Sequence, residues 1–271
     1  TAKFDLAVDF HGILKSALFI RLSGAPVRVG FTRPDAKEGS AKFYNHHFKP
    51  SRSDLNRVAR ALEMVNFLGV DKCGEGAGSV SYQLPLKALN REHAYASLLE
   101  LKGLPGAGPM VAIHPGSSRK TAYKRWHQNG YVGLVNALVE KLGARVMLTW
   151  GPGERETVEL IAGHARVPLV VAKKTSSLLD LAALFDACDL YIGGDTGPTH
   201  LAVAVKTPVV VIFGPTHPEV NAPYGTPYRI VRHALFCSPC RKRACKTRLC
   251  LEAIGWRRVF AEVEELLVKL T

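Results

Sequence analysis

Hydrophobic residues in this sequence fall into short, nearly unbroken runs, separated by longer stretches in which they recur every three or four positions. The runs are Phe4–Phe10, Val27–Phe31, Met110–His114, Ala144–Trp150, Leu169–Ala172, Leu190–Gly193 and Pro208–Phe213, and several are almost wholly Val, Ile and Leu. A run with no polar alternation predicts a strand covered on both faces. The periodic stretches predict helices near Ile13–Leu22, Leu55–Leu68, Gly130–Leu142, Glu154–His164, Leu178–Cys188, Thr199–Val205 and Trp256–Leu270. Strands alternating with helices in this way predict an α/β fold with parallel sheets.

Lys102–Pro109 (KGLPGAGP) carries three Gly and two Pro in eight residues and reads as a linker. The domain boundary is placed there, with an N-terminal domain over 1–102 and a C-terminal domain over 103–271. The second reads as a complete doubly wound domain and the first as short for one. Residue 1 is Thr, and Phe4–Phe10 already reads as a buried strand, so the first domain is expected to lack its beginning. Over 271 residues, 47% hydrophobic and 22% charged, the composition supports a sizeable core and excludes a disordered or disulfide-dense small protein. No apolar run approaches the roughly 18–20 residues that span a bilayer. The longest, Leu201–Phe213, is broken by Lys206 and Pro208. With no signal segment at its start, the chain reads as cytoplasmic.

Charge sharpens the picture. The net charge is +13, and two stretches hold nearly all of it: Arg28–Arg60 has eight basic and three acidic residues, and Arg229–Arg248 has seven basic and none acidic. Such stretches read either as solvated surface or as attraction to a polyanion, whether nucleic acid, an anionic membrane or a phosphorylated substrate. The ribonucleoprotein signature and zinc-finger spacing that favour nucleic acid are missing.

Ligands of open α/β sheets bind beyond the carboxyl ends of the strands, so the loops leaving those ends carry the candidate chemistry. Gly193–His200 (GGDTGPTH) leads from a strand into a helix, with Pro198 suited to the first helical position and Gly197 to the cap. The opened helix N-terminus offers N–H groups and partial positive charge to an anion. Thr196 and His200 add donors, while Asp195 would cap the helix, orient His200 or accept from a ligand hydroxyl. His114–Trp126 (HPGSSRKTAYKRW) carries Ser117 and Ser118 together with Arg119, Lys120, Lys124 and Arg125, a set suited to diphosphate, although it is not a Walker A loop. Trp150–Glu156 (WGPGERE) offers Glu154 to a ribose diol. No GxGxxG and no GxSxG is present, which disfavours a nicotinamide dehydrogenase and an α/β-hydrolase. Of six Cys, four (Cys237, Cys240, Cys245, Cys250) form C-x2-C-x4-C-x4-C; free thiols, a structural zinc site and disulfides are the alternatives. Cys73 and Cys188 read as incidental.

Taken together, FDLAVDFHGILKSALFIRLSGAPVRVGF, KEGSAKFYNHH, HPGSSRKTAYKRW, WGPGERE and GGDTGPTHLAVAVKTPVVVIFGPTHPEVNAPYG resemble the bacterial lipopolysaccharide heptosyltransferases of glycosyltransferase family 9. The resemblance implies a GT-B type fold of two Rossmann-like domains with parallel sheets, the final helix packing back on the N-terminal one. It implies ADP-L-glycero-D-manno-heptose as donor, held by Ser117, Ser118, Lys124, Glu154, Ser176, Asp195, Thr196, Gly197, Pro198 and His200. Lys124 and Asp195 take catalytic roles. Acceptor contacts fall to His11, Lys15 and Arg33, with His11 standing where members often have Gln. The family's Asp general base is expected upstream of Thr1, and Asp9, expected inside a strand, does not replace it. The implied reaction is inverting and needs neither metal nor cofactor. Its acceptor is of the lipid A–Kdo type, and Arg28–Arg60 would bring the enzyme to the anionic inner face of the inner membrane. Two alternatives stay open: a nucleotide-sugar-binding protein of the same fold without catalysis or with another donor, and a nucleic-acid-binding protein using Arg229–Arg248.

Overall fold

The computed structural model describes residues 3–70 and 84–270. The chain forms two compact units, Thr1–Gly76 and Ala77–Thr271.

The first unit runs β1 (Leu6–Val8), α1 (Leu14–Leu22), β2 (Val27–Phe31), a 3-10 turn (Ser40–Phe43), β3 (His46–Phe48) and α2 (Arg57–Phe67). Its strands are parallel in the order β1-β2-β3, with Val8 opposite Val29 and Phe31 opposite Phe48. Phe31, Tyr44, Phe48 and Met64 fill its core beside Ala17 and Ala36. Gly30 is required by packing, because a Cβ there would come within 2.3 Å of the Tyr44 ring.

The second unit begins with α3 (Ala88–Lys102) and continues through β4 (Met110–His114), a 3-10 stretch (Arg119–Lys124), α4 (Gln128–Leu142), β5 (Arg145–Leu148), α5 (Arg155–His164), β6 (Val170–Val171) and α6 (Leu178–Asp186). Next come β7 (Leu190–Gly194), α7 (Gly197–Ala204), β8 (Val209–Phe213), α8 (Pro218–Asn221), β9 (Tyr228–Arg232), α9 (Leu249–Glu252) and α10 (Trp256–Leu270). All six strands are parallel in the order β6-β5-β4-β7-β8-β9. This is the doubly wound order, and the chain reverses direction between β4 and β7, the place where such sheets open a crevice for ligands.

Alternation along the strands divides the core into two layers. Val111, Ile113, Val146, Leu148, Leu190 and Ile192 face α4, α5 and α10, while Ala112, Met147, Tyr191, Val209, Val211 and Phe213 face α3, α6 and α7. In α4 the buried Tyr131, Leu134, Val135 and Leu138 follow the i, i+3, i+4, i+7 spacing of a single helical stripe.

Two sequence expectations change. The boundary expected at 102/103 gives way to a division at Gly76/Ala77, because α3 buries Ala94 and Leu101 in the second unit's core and packs on α6. Asn90 and His93 of α3 also bond the buried Asp180 carboxylate at 2.8 and 3.2 Å. Within the second unit the closing helix α10 lays Val259, Phe260, Val263 and Leu266 on α4, β8 and β9. Asp9 lies one residue beyond β1, in the loop that leaves its carboxyl end.

Candidate functional site

At the β4/β7 reversal His114 is paired with Gly193, so the loops leaving these two strands start side by side. Lys124 ends the 3-10 stretch of the first loop, and its Nζ donates to Asp195 Oδ2 at 2.8 Å and to the Asp195 carbonyl at 3.1 Å. Asp195 is 6% exposed and the Lys124 side chain 18%, so the pair is mostly shielded from water. Residues 71 positions apart in the chain thus meet at the crevice.

Behind Asp195, Thr196 occupies the cap of α7 without a side-chain capping bond, and Pro198 lies in the first turn. The Thr199 hydroxyl donates back to the Gly194 carbonyl at 2.5 Å, fixing the strand-to-helix turn. Gly197 faces open space, since a Cβ there would meet nothing within 4 Å. The partial positive charge of α7 therefore opens next to the Lys124 ammonium. His200 is exposed on the same helix. Ser117 is buried, and its Oγ accepts from Arg125 Nε at 3.3 Å; Ser118 is exposed and shares a hydrogen bond with Thr121 at 2.9 Å. Ser176 is exposed in the loop between β6 and α6, two strands away from β4.

Glu154 departs from the simple picture of a ribose acceptor. It is 5% exposed, and its Oε2 accepts from the Gly151 N–H at 2.8 Å and lies 3.1 Å from His114 Nε2. Its Oε1 lies 4.0 Å from the Arg125 guanidinium. Burial pushes its pKa upward, but the bonds from His114 and Gly151 and the nearby Arg125 outweigh that and hold it below the ordinary glutamate value. His114 and Thr149, which complete this cluster, escaped the sequence reading. The available signal was a polar residue closing an apolar strand at the carboxyl edge.

In the first unit His11, Lys15 and Arg33 are all exposed, His11 and Lys15 after β1 and Arg33 after β2, at the carboxyl edge of that sheet. Asp9 beside them is occupied. Its Oδ1 accepts from the His11 and Gly12 N–H groups at 2.8 and 3.0 Å, and its Oδ2 from Ser16 Oγ at 2.7 Å and the Tyr44 hydroxyl at 2.6 Å.

Part of the basic excess serves the fold. Arg28 donates to the carbonyls of Phe43 and Ala25, Arg60 stacks over Phe31 and faces Asp35 at 3.6 Å, and Arg229 pairs with Glu262 and Glu265. Arg241, Lys242, Arg243 and Lys246 remain exposed around the cysteines. Cys237, Cys240, Cys245 and Cys250 are free thiols, which removes the disulfide alternative. Among the described residues no three His, Cys, Asp or Glu side chains are grouped to hold a metal. Cys188 is buried in the second core and Cys73 lies outside the described residues. Among the described residues no helix is long and apolar enough to cross a membrane.

Comparison with known proteins gives this geometry a context. The family model described as glycosyltransferase family 9 (heptosyltransferase) matches residues 1–250. Lipopolysaccharide heptosyltransferase 1 of Pseudomonas aeruginosa is 26% identical over 286 residues, covering 98% of this chain and 74% of that protein. Lipopolysaccharide heptosyltransferase 3 of Escherichia coli K12 is 32% identical over 216 residues, covering 79% of this chain and 59% of that protein. The chain thus spans between about three-fifths and three-quarters of the length of these relatives. Among solved structures, a family 9 glycosyl transferase from Veillonella parvula superposes with a TM-score of 0.77 at 19% identity, covering 99% of this chain and 75% of that one. The E. coli heptosyltransferase WaaC with ADP gives 0.69 at 23% identity, covering 98% and 73%. These likenesses show the fold: α/β with parallel sheets, of the two-domain Rossmann-like GT-B type.

Proposed function

The chain belongs to glycosyltransferase family 9, and on that premise we propose that it transfers L-glycero-D-manno-heptose from ADP-heptose to the Kdo- or heptose-bearing inner core of lipopolysaccharide. The observation that carries the reading is the Lys124–Asp195 pair at 2.8 Å beside the N-terminus of α7, which has no side-chain capping bond, at the point where the strand order reverses. Such a site suits a diphosphate, with one mobile ammonium and a row of backbone N–H groups meeting charge that grows as the leaving group departs.

In the proposed reaction an acceptor hydroxyl, giving up its proton to a general base, attacks the anomeric carbon from the side opposite the diphosphate. The new C–O bond forms as the bond to the β-phosphate oxygen breaks, the electron pair leaves with ADP, and the configuration inverts. Lys124 and the α7 terminus offset the negative charge on the leaving diphosphate that a metal ion offsets in other transferases, so the reaction is proposed to run without metal or cofactor. Asp195 orients the Lys124 ammonium while the site is empty, and its carboxylate accepts from a donor hydroxyl once the ammonium turns to phosphate. Ser117, Ser118, Thr196, Gly197, Pro198 and His200 complete the donor contacts, with Ser176 at the outer rim and the Glu154 Oε1 atom toward the ribose.

Asp9 is not the base, because both its oxygens already serve as acceptors. His11, Lys15 and Arg33 meet the anionic lipid A–Kdo acceptor, and the basic stretch Arg28–Arg60 draws the protein to the inner face of the inner membrane.

Calorimetric titration with ADP, UDP and GDP tests the donor assignment independently of the base. ADP is expected to bind in preference to the other two, and Lys124→Ala to weaken it roughly tenfold or more, the effect of losing a charged hydrogen-bond donor. Equal affinity of the Lys124→Ala protein for ADP would remove the diphosphate from this site.

A further inference from the structure

Between the donor loop and α5 lies a chain of polar groups that ends on the donor contacts Glu154 and Ser117 and starts from His114, a residue the reaction above does not use. His114, the last residue of β4, is 2% exposed. Its Nδ1 lies 3.0 Å from the hydroxyl of Thr149, a buried residue just beyond β5 whose hydroxyl lies in turn 3.3 Å from the Ile113 carbonyl. Its Nε2 lies 3.1 Å from Glu154 Oε2. One imidazole therefore joins the ends of β4 and β5 to the residue that precedes α5. From Glu154 the chain continues through Arg125, 4.0 Å from Oε1, to Ser117, whose Oγ and carbonyl both accept from that guanidinium. Gly116 seals the arrangement, since a Cβ there would lie 2.2 Å from Glu154 Oε2.

We infer that His114 is a positioning residue for nucleotide-sugar binding: by holding the Glu154 carboxylate it fixes Arg125 and the Ser117 backbone, and so sets the donor loop before the ligand arrives. This rests on the donor reading given above. A buried carboxylate surrounded by a ring nitrogen, a guanidinium and one N–H is a costly way to gain stability alone, because desolvation offsets most of the attraction. What such a network secures is a single geometry, as each member leaves its neighbour few alternatives. The cluster touches the loop that carries Ser117 and Lys124, and stays off the opposite ends of the strands. His114 reaches no ligand itself; its influence passes through Glu154.

Two near-isosteres separate this role from simple packing. In His114→Gln the side-chain amide nitrogen can occupy the Nε2 position and keep the bond to Glu154. In His114→Asn it can occupy the Nδ1 position and keep the contact to Thr149 while losing Glu154. ADP affinity by calorimetry, with the melting temperature recorded for each protein, is expected to fall about tenfold for His114→Asn and to stay within about threefold for His114→Gln. Glu154→Gln, which preserves shape, is expected to match the Asn loss, and the double variant His114→Asn/Glu154→Gln to lose no more than either alone. If His114→Asn does not fold, Glu154→Gln against His114→Gln carries the same contrast. ADP affinity unchanged in His114→Asn or in Glu154→Gln, or reduced equally in His114→Asn and His114→Gln, would overturn the positioning role while leaving the donor site standing. Absence of ADP binding by the unsubstituted protein would overturn the donor reading, and this inference with it.

Discussion

In the first unit Asp9 follows β1 and accepts four hydrogen bonds, all from neutral donors: two backbone N–H groups, a serine and a tyrosine. In the second unit Asp195 follows β7, and its carboxylate is held at 2.8 Å by the ammonium of Lys124. Both acids lie just past the carboxyl end of a parallel strand and both are nearly inaccessible to water. Their partners differ in kind. Neutral donors drawn from the same loop and its neighbours lock a turn and leave nothing for a ligand to displace. A lysine on a flexible stem can exchange one anion for another, so in the proposed donor site its carboxylate partner holds the place of phosphate. The location of a buried acid at a strand end therefore does not by itself make it functional; the charge and mobility of what it binds decide the matter.

The contrast can be broken in three ways. The largest effect is expected from Lys124→Ala, which should lower the rate of heptose transfer to a lipid A–Kdo acceptor by about 10²–10³, the range seen when one preorganised charge stabiliser is removed. Unaltered turnover would make the Lys124 pair as architectural as the Asp9 turn.

Next comes Asp9→Ala, expected to cost the first unit about 2–3 kcal/mol through the buried donors it strands, while ADP affinity is unchanged. Hydrogen exchange of the β1, β2 and β3 amides would report the loss, and a fall in ADP affinity would show that the turn does more than hold its unit together. The same residue gives a pH signature. Burial pushes the Asp9 pKa up, but the bonds from Tyr44, Gly12, Ser16 and His11 outweigh it and hold the pKa below the ordinary aspartate value. Below about pH 4 the unfolded chain takes up protons that the folded carboxylate refuses, so stability falls as pH drops through that window. Asp9→Asn should flatten that slope in the first unit.

The smallest effects belong to exposed residues. Lys15→Ala and Arg33→Ala should each raise the acceptor KM about two- to fivefold, less at high salt, as expected for screened surface charges. A salt-independent or absent effect would take the acceptor away from this edge.

Much of the second unit is legible in the sequence because β4, β5, β7 and β8 are continuous apolar runs, a pattern that comes from helices covering both faces. The paired loops are legible for a related reason: Ser117, Lys124, Asp195 and Gly197 are polar or small residues in the loops that follow such runs. What escaped depends on contacts remote in sequence. β3 reads His-His-Phe and is a strand because it pairs with β2 and packs Phe48 against Phe31 at 6.0 Å between ring centroids. The placement of α3 is decided by Asp180, about ninety residues downstream. Glu154 looks like an exposed first-turn acid until His114 and Arg125, far along the chain, close around it.

The central claim is that Lys124 leaves Asp195 to grip a diphosphate at the start of α7. A crystal structure of the protein soaked with ADP addresses it directly. The account predicts diphosphate oxygens within hydrogen-bonding distance of Lys124 Nζ and of the first-turn N–H groups of α7. ADP bound elsewhere, or bound with the Lys124–Asp195 pair intact and no contact to the phosphates, would contradict it.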